Sequence, residues 1–358
     1  MKIILFDGTF KTTSFINRLA KGLVKNHTVY IVGFNEKLNR PIPNVNYIPL
    51  GSNQSYWRLA VVSLAHAFKS KKITHIFNVF AKLCKKEKNW LQNQNLSMVL
   101  SSVKPDIIHL QWLSNIPFFE KYLKEKSHTI VLSQRGYHVN VKPFVYQENL
   151  AYLKKWYPEI SGFHSVSRAI KEVSKQIYTA DNKMDKVVYS GLDFSDFEFK
   201  STYKSIGKLK IISVGRNHWK KGYKYAIHAM SNLKERGIEF EYTIIGVKES
   251  EELLFMIDEF GLKDSVKLIE SKSQKETYKS ILNSDLLLLP SVEEGIANVC
   301  IEAMALGTPV ISTDCGGMRE LIDDTMNGFI VPTRDAKSIT KKIIEVQNLS
   351  EKELTVIC

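Results

Sequence analysis

Two carboxylates, Glu294 and Glu302, bracket a short glycine-containing turn in the stretch LLLLPSVEEGIANVCIE (286–302). The leucines and Pro290 predict a buried parallel strand that stops, followed by a helix that begins near Asn298. A strand–turn–helix unit presents free backbone N–H groups and the positive end of a helix dipole, which suit an anionic ligand. Carboxylates only accept hydrogen bonds, so the hydroxyl groups of a sugar are their predicted partners.

Two cations stand in an earlier strand–turn–helix unit, LKIISVGRNHWKKGYKYAIHAM (209–230). The run IISVG predicts a strand with Arg216 at its carboxyl end, and Lys221 and Gly222 precede a predicted helix. A guanidinium can hold a diphosphate with a two-pronged fork, and an ammonium adds a mobile point charge. The motif predicts a diphosphate site, although in isolation the same pattern favours two solvated surface cations.

Apolar runs alternate with helical patterns through both halves of the chain. In the first half the predicted strands are KIILF, HTVYIVGF, PDIIHLQW, TIVLSQRGYH, GFHSVS and VVYS. In the second half they are IISVG, EYTIIG, SVKLIES, LLLLP and TPVIS. This alternation predicts two Rossmann-like, doubly wound α/β domains that face a cleft, with domains at 1–199 and 200–358 and a linker at 201–208. Gly8 stands alone in the first βα turn, so the GxGxxG dinucleotide fingerprint is absent.

Polar side chains follow two of the predicted strands of the first half. His109 comes near the end of PDIIHLQW, and Arg135 and His138 come at the end of TIVLSQRGYH. Ligands of open parallel sheets lie beyond the carboxyl ends of strands, so these three residues are predicted to contact a substrate. The alternatives are a loop histidine for His138 and a surface ion pair for Arg135.

The net charge of +13 comes from the first half of the chain. Residues 1–200 hold 29 Lys and Arg against 14 Asp and Glu, whereas residues 201–358 hold 21 against 23. The segment 66–95 mixes apolar residues such as Phe68 and Phe77 with lysines, which predicts one or two basic amphipathic helices. We expect this segment to dock on an anionic lipid surface; the alternative is core-facing helices with a solvated lysine face. No nucleic-acid motif accompanies the charge, so no nucleic-acid partner is predicted.

The cysteines and the apolar runs indicate the cellular compartment of the protein. The four cysteines show no CxxC spacing, which indicates a reducing compartment and no structural zinc. No apolar run approaches the roughly 18 residues that a spanning helix needs, and MKIILFDGTF is typical of a first strand rather than a signal peptide. The predicted location is the cytoplasm, with peripheral contact at the inner face of the membrane.

Two motifs of the second half resemble a known family. The segment SVEEGIANVCIEAMALGTPVI (291–311) matches the pattern SxxEGxxxxxxEAMAxGxPVI, and GRNHWKKG (215–222) matches G-R-x(4)-K-G. These patterns are similar to those of the retaining family 4 glycosyltransferases, which have the two-Rossmann-domain GT-B fold. The resemblance covers about residues 1–345. It implies transfer of a sugar from a nucleotide diphosphate sugar, with UDP favoured, to a glycan or lipid-linked acceptor in surface polysaccharide biosynthesis.

The resemblance also implies roles for individual residues. Domain 1–199 would take the acceptor and domain 200–358 the donor. Arg216 and Lys221 would hold the diphosphate, and Glu302 would bind the ribose hydroxyls. Glu294 would bind donor-sugar hydroxyls and, with Arg216, Lys221 and His138, form the catalytic group. The implied donor-binding set is Gly8, Gly215, Arg216, Lys221, Glu294, Gly295, Ile296, Ala297, Asn298, Val299 and Glu302.

No cofactor or metal is expected, because preorganised cations and N–H groups can stabilise the charge that develops on the departing diphosphate. The pair Asp323-Asp324 follows a predicted helix and fits a solvated turn better than a metal-binding DxD motif. Two alternatives to a transferase remain. One is a degenerate, non-catalytic protein that binds nucleotide sugars, and the other is a nucleotide-sugar epimerase of the same fold.

Overall fold

A computed structural model describes residues 1–34, 38, 41–192, 197–200, 203 and 207–357. Most of the predicted linker at 201–208 lies outside the described residues, as do residues 193–196. The chain divides into two compact units. The first comprises Met1–Val166 and Lys171–Gly191, and the second comprises Leu192–Cys358 and Ser167–Ile170.

The first unit is built on a parallel sheet that has seven strands within the described part of the chain, in the order β3-β2-β1-β4-β5-β6-β7. Ile3 of the central strand pairs with Val29 on one side and with Ile107 on the other. Continuous apolar runs form the inner strands because both faces of a parallel sheet are covered by helices. The strands are β1 (Lys2–Thr9), β2 (Thr28–Phe34), β3 (Val45–Pro49), β4 (Ile107–Leu110), β5 (Ile130–Gln134), β6 (Gly162–Ser165) and β7 (Met184–Val187).

The helices of this half follow the same alternation. They are α1 (Ser14–Leu23), α2 (Tyr56–Lys69), α3 (Ile73–Cys84), α4 (Lys88–Val103), α5 (Glu120–Lys124), α6 (Tyr137–Asn140), α7 (Lys142–Val145), α8 (Gln147–Trp156) and α9 (Arg168–Lys175). The predicted basic amphipathic segment therefore spans the end of α2, all of α3 and the start of α4. None of the helices that the structure describes is both long and apolar enough to span a bilayer.

The second unit has a parallel sheet of six described strands in the order β10-β9-β8-β11-β12-β13. Leu287 pairs with Ile212 on one side and with Val310 on the other. The strands are β8 (Leu209–Val214), β9 (Phe240–Ile245), β10 (Val266–Ile269), β11 (Leu286–Leu289), β12 (Val310–Thr313) and β13 (Phe329–Val331). The helices are α10 (Tyr223–Glu235), α11 (Glu251–Glu259), α12 (Gln274–Leu282), α13 (Asn298–Ala305), α14 (Ala336–Asn348) and α15 (Glu351–Ile357).

The prediction of two doubly wound parallel α/β domains is confirmed. Strands β3 and β13 were not predicted, because no residue of β3 is fully buried and β13 has three residues. In the second sheet the strand order reverses direction between β8 and β11. The crevice beyond the carboxyl ends of strands at such a switch point is where ligands of open α/β sheets bind.

Candidate functional site

Glu294 lies at the switch point of the second sheet. Strand β11 ends at Leu289, Pro290 follows, and α13 begins at Asn298 as predicted. The loop between them carries Glu294, and this residue is only 7% exposed. A carboxylate this buried needs compensating charge or hydrogen bonds.

Two lysines supply that compensation. The Lys221 ammonium lies 2.6 Å from Glu294 Oε1, and the Lys220 ammonium lies 3.4 Å from Oε2. The Ser291 hydroxyl donates to Oε1 at 3.1 Å. Burial opposes ionisation of Glu294, but Lys221 and Lys220 outweigh it, so its pKa lies below the usual range. Glu294 is therefore a carboxylate at neutral pH and accepts hydrogen bonds at both oxygens.

Lys220 was missed at the sequence level, although it stands beside Lys221 in the segment HWKKG. The two lysines lie in a short 3-10 turn, Trp219–Lys221. The His218 ring caps the start of this turn by accepting a hydrogen bond from the Lys220 N–H. This turn sends both ammonium groups toward the same carboxylate. Arg216 lies on the segment that leaves β8 and is exposed. The structure thus brings Lys221 and Glu294 into contact and places Arg216 on the surface of the same unit.

Glycines hold the two loops together. Gly222 has φ +65°, and a Cβ there would lie 2.0 Å from the Pro290 carbonyl oxygen. Gly316 has φ +54°, and its Cβ would lie 1.7 Å from the Glu294 carbonyl oxygen. The Gly317 N–H donates to the Gly295 carbonyl at 2.8 Å. Gly316 and Gly317 form a tight turn that supports the backbone of the Glu294 loop.

Among the remaining predicted donor residues, Gly295, Ile296 and Ala297 lie in the loop before α13, and Asn298 and Val299 lie in its first turn. Gly215 follows β8, and Gly8 belongs to strand β1 of the first unit rather than to the predicted turn. Glu302 is half-buried within α13. The Ala297 N–H donates to the Met318 sulfur at 3.4 Å, so this donor points into the protein. The Tyr223 hydroxyl donates to the Gly215 carbonyl at 2.9 Å and fixes the loop that carries Arg216.

The polar strand ends of the first unit also form a cluster. His109 Nε2 lies 2.9 Å from the Ser133 hydroxyl, which lies 2.9 Å from His164 Nδ1. Burial, together with neighbouring charges, lowers the pKa of His109 to about 3 and that of His164 to about 4. Both imidazoles are therefore neutral at physiological pH and serve as hydrogen-bonding groups.

Arg135 is packed within this cluster rather than in a surface ion pair. Its guanidinium lies 4.4 Å from the centre of the Phe15 ring and donates to Gln111 Oε1 at 3.3 Å. Burial lowers the pKa of Arg135 to about 10. His138 lies further along, half-buried on α6, with its ring 5.8 Å from that of Tyr137.

Asp7 belongs to the same cluster, although the sequence did not single it out. It lies within β1, and its carboxylate accepts a hydrogen bond from the Trp112 indole. Burial raises the pKa of Asp7 to about 7, although Trp112 and Arg135 act in the opposite direction. An acidic residue at the end of the apolar run KIILF was the signal that could have identified it.

The described residues contain no group of three or more His, Cys, Asp or Glu side chains that could hold a metal ion. Asp324 accepts a hydrogen bond from the Ile330 N–H at 2.8 Å, so its carboxylate fixes a turn of the backbone.

Comparison with known proteins gives a match in the second half of the chain. Residues 194–356 match the family model described as Glycosyl transferases group 1. Escherichia coli WcaL, named for colanic acid biosynthesis, is 34% identical over 174 residues, which are 47% of this chain and 43% of WcaL. Erwinia amylovora AmsK, an amylovoran biosynthesis glycosyltransferase, is 36% identical over 178 residues, which are 48% of this chain and 43% of AmsK. The chain thus aligns with less than half the length of these curated relatives.

Solved structures resemble the whole chain in fold. Sucrose-phosphate synthase from Thermosynechococcus elongatus has a TM-score of 0.75 at 14% identity, covering 100% of this chain and 92% of that one. Anabaena HepE, solved with UDP-glucose, has a TM-score of 0.71 at 17% identity, with the same coverage. The fold is that of GT-B glycosyltransferases, and the match to the Glycosyl transferases group 1 model covers a little under half of the chain.

Proposed function

We propose that this protein is a retaining glycosyltransferase that moves a sugar from a nucleotide diphosphate sugar to an acceptor. The observation that carries the proposal is the buried Glu294 carboxylate held by Lys220 and Lys221 at the switch point of the second sheet. The GT-B fold and the match to the group 1 model support the same activity.

Each group in this arrangement has a chemical task. An ammonium has three N–H donors, so Lys221 can keep its bond to Glu294 and still donate to a phosphate oxygen. Arg216 is exposed and adds a second cation for the diphosphate. Breaking the sugar–phosphate bond develops negative charge on the leaving oxygen, and fixed cations stabilise that charge. Glu294 orients Lys221 and accepts hydrogen bonds from sugar hydroxyls, while Glu302 binds the ribose.

UDP is the proposed nucleotide, because HepE was solved with UDP-glucose. The proposed acceptor is a glycan or lipid-linked saccharide in surface polysaccharide biosynthesis, since the names of WcaL and AmsK refer to such polymers. His109, Arg135 and His138 are the proposed acceptor-side residues. The protein would work at the cytoplasmic face of the membrane, as the sequence predicts.

A sugar-nucleotide panel tests the proposal. UDP-, GDP- and ADP-sugars are screened first by thermal shift, because a ligand that binds only the folded state raises the melting temperature. The stabilising donor is then incubated with wild type and with Glu294→Gln, and the released nucleoside diphosphate is measured. We expect release by wild type and strongly reduced release by the variant. Binding without any release from the whole panel would favour a non-catalytic binding protein, and equal release by both proteins would remove Glu294 from the mechanism.

A further inference from the structure

Helices α2 and α3 expose stripes of large apolar side chains. On α2 the stripe is Trp57, Val61 and Phe68, and on α3 it is Ile73, Phe77 and Phe80. Each of the six side chains is between 61% and 82% exposed. Their spacing of three, four or seven residues puts the members of a stripe on one face of its helix.

These stripes are not the faces that hold the helices on the protein. Leu59 and Ala67 of α2 pack with Val79 of α3 and Leu91 of α4 in a buried cluster. The Tyr56 hydroxyl donates to the Leu83 carbonyl at 2.7 Å, which ties the start of α2 to the end of α3. Both helices are therefore apolar on a second face that the core does not use.

The charged residues around the two stripes are almost all positive. The sequence has no Asp or Glu between Glu36 and Glu87. Lys82 is held by Glu87 at 2.7 Å. Six further cations that the structure describes on α2, on α3 and in the turns after them are exposed: Arg58, Lys69, Lys71, Lys72, Lys85 and Lys86. We call these six cations and the two apolar stripes the α2–α3 surface.

An anionic bilayer satisfies both properties of the α2–α3 surface. Aromatic and aliphatic side chains enter the boundary between headgroups and acyl chains, and lysines contact anionic headgroups. Helices of 14 and 12 residues are too short to span the hydrocarbon core and fit an orientation in the plane of the interface. A second copy of the same surface is a poor partner, because pairing would bring two clusters of cations together.

We propose that the α2–α3 surface docks the protein on membranes that contain anionic lipid. The proposal goes beyond the sugar-transfer chemistry, because it rests on residues of α2 and α3 and not on the donor site.

Vesicle co-sedimentation at low salt tests the proposal. The probes are phosphatidylcholine vesicles with and without phosphatidylglycerol. We expect wild type to pellet with the anionic vesicles and to remain largely in solution with the neutral ones. A Phe77→Ser/Phe80→Ser variant and a Lys71→Glu/Lys72→Glu variant are each expected to lower the partition coefficient about tenfold or more. Matched controls are Phe255→Ser on α11, where the side chain is 66% exposed, and Lys341→Glu on α14.

The outcomes separate this proposal from the proposed function. Nucleoside diphosphate release from a donor in vesicle-free solution is expected to be the same for wild type and the α2–α3 variants, and circular dichroism checks that they fold. Wild type that fails to pellet with anionic vesicles, or variants that pellet as well as wild type, would overturn the proposal. A dimer in sedimentation velocity that Phe77→Ser/Phe80→Ser abolishes would assign the surface to self-association instead.

Discussion

The Lys221 ammonium lies 2.6 Å from the Glu294 carboxylate, although the two residues are 73 positions apart in the chain. Lys221 follows β8 and Glu294 follows β11, and these strands are neighbours in the second sheet. The contact couples the group proposed for the diphosphate to the group proposed for the sugar. Changes at one residue should therefore alter what the other does.

Glu294→Gln tests the carboxylate. The change leaves the cations Lys220 and Lys221 beside each other without their shared anion. We expect the free energy of unfolding to fall by about 3 kcal/mol, because removing one partner of a buried ion pair leaves uncompensated charge. We expect kcat/KM for the donor to fall about a hundredfold or more. Chemical denaturation and steady-state kinetics measure the two effects, with Glu251→Gln on the exposed start of α11 as the matched control.

The two lysines should respond differently to replacement by methionine. Lys221→Met removes a proposed phosphate donor, so we expect the Kd for UDP to rise about tenfold or more. Lys220→Met removes a buried cation and leaves the Lys221–Glu294 pair intact, so the expected effect on UDP binding is smaller and stability is kept or improved. Isothermal titration calorimetry distinguishes the variants, and Lys224→Met is the exposed control. Equal loss of UDP affinity in both variants would contradict the different roles.

Gly316→Ala tests the turn that supports the site. A Cβ at this position would lie 1.7 Å from the Glu294 carbonyl oxygen, so the Glu294 loop must move. Gly237→Ala is the matched control, because Gly237 also has a positive φ, +71°, but nothing lies within 4 Å of its Cβ. The backbone strain of about 1 kcal/mol is common to both variants. We expect Gly316→Ala alone to lose donor turnover, and equal turnover by both would show that the turn does not position Glu294.

Asp7 should make stability depend on pH. Its folded pKa of about 7 lies above the ordinary value of 3.8, so the folded protein binds a proton that the unfolded chain releases between these values. The contribution of Asp7 to stability is present below about pH 4 and is lost as the pH rises through 7. Between about pH 4 and pH 7 we expect the unfolding free energy of wild type to fall relative to that of Asp7→Asn. A constant difference across pH 4–8 would contradict the assignment.

Chelation tests the expectation that no metal takes part. Lys220, Lys221 and Arg216 supply positive charge beside the proposed diphosphate position, so donor turnover should continue in EDTA. Activity that is lost in EDTA and restored by manganese would assign the neutralising charge to a metal ion instead.

Much of the sheet architecture was readable from the sequence, because continuous apolar runs such as LLLL at 286–289 are typical of buried parallel strands. The contacts between side chains were harder to predict from the sequence. Glu294, Lys221 and Arg135 could be recognised singly, but their contacts depend on which strands become neighbours and on how tightly each loop folds. The hydrogen bonds that link His109, Ser133 and His164 likewise depend on which strands are neighbours, because the three residues lie on three different strands.

Helix α3 shows a second limit of sequence patterns. Val79 is fully buried and Phe77 is 70% exposed, although both are apolar and only two positions apart. Apolar periodicity marks a helix, but it does not say which of two apolar faces packs against the neighbouring helices. Only the tertiary packing distinguishes the core face from the face proposed to meet lipid.

The most direct test of the donor site is a crystal structure of the protein with UDP bound. We predict that the diphosphate lies beyond the carboxyl ends of β8 and β11, within hydrogen-bonding distance of Lys221 Nζ, while Glu294 stays in contact with Lys221. Ribose hydroxyls should reach Glu302. A nucleotide bound away from these strand ends, or a diphosphate without contact to Lys221, would contradict the account.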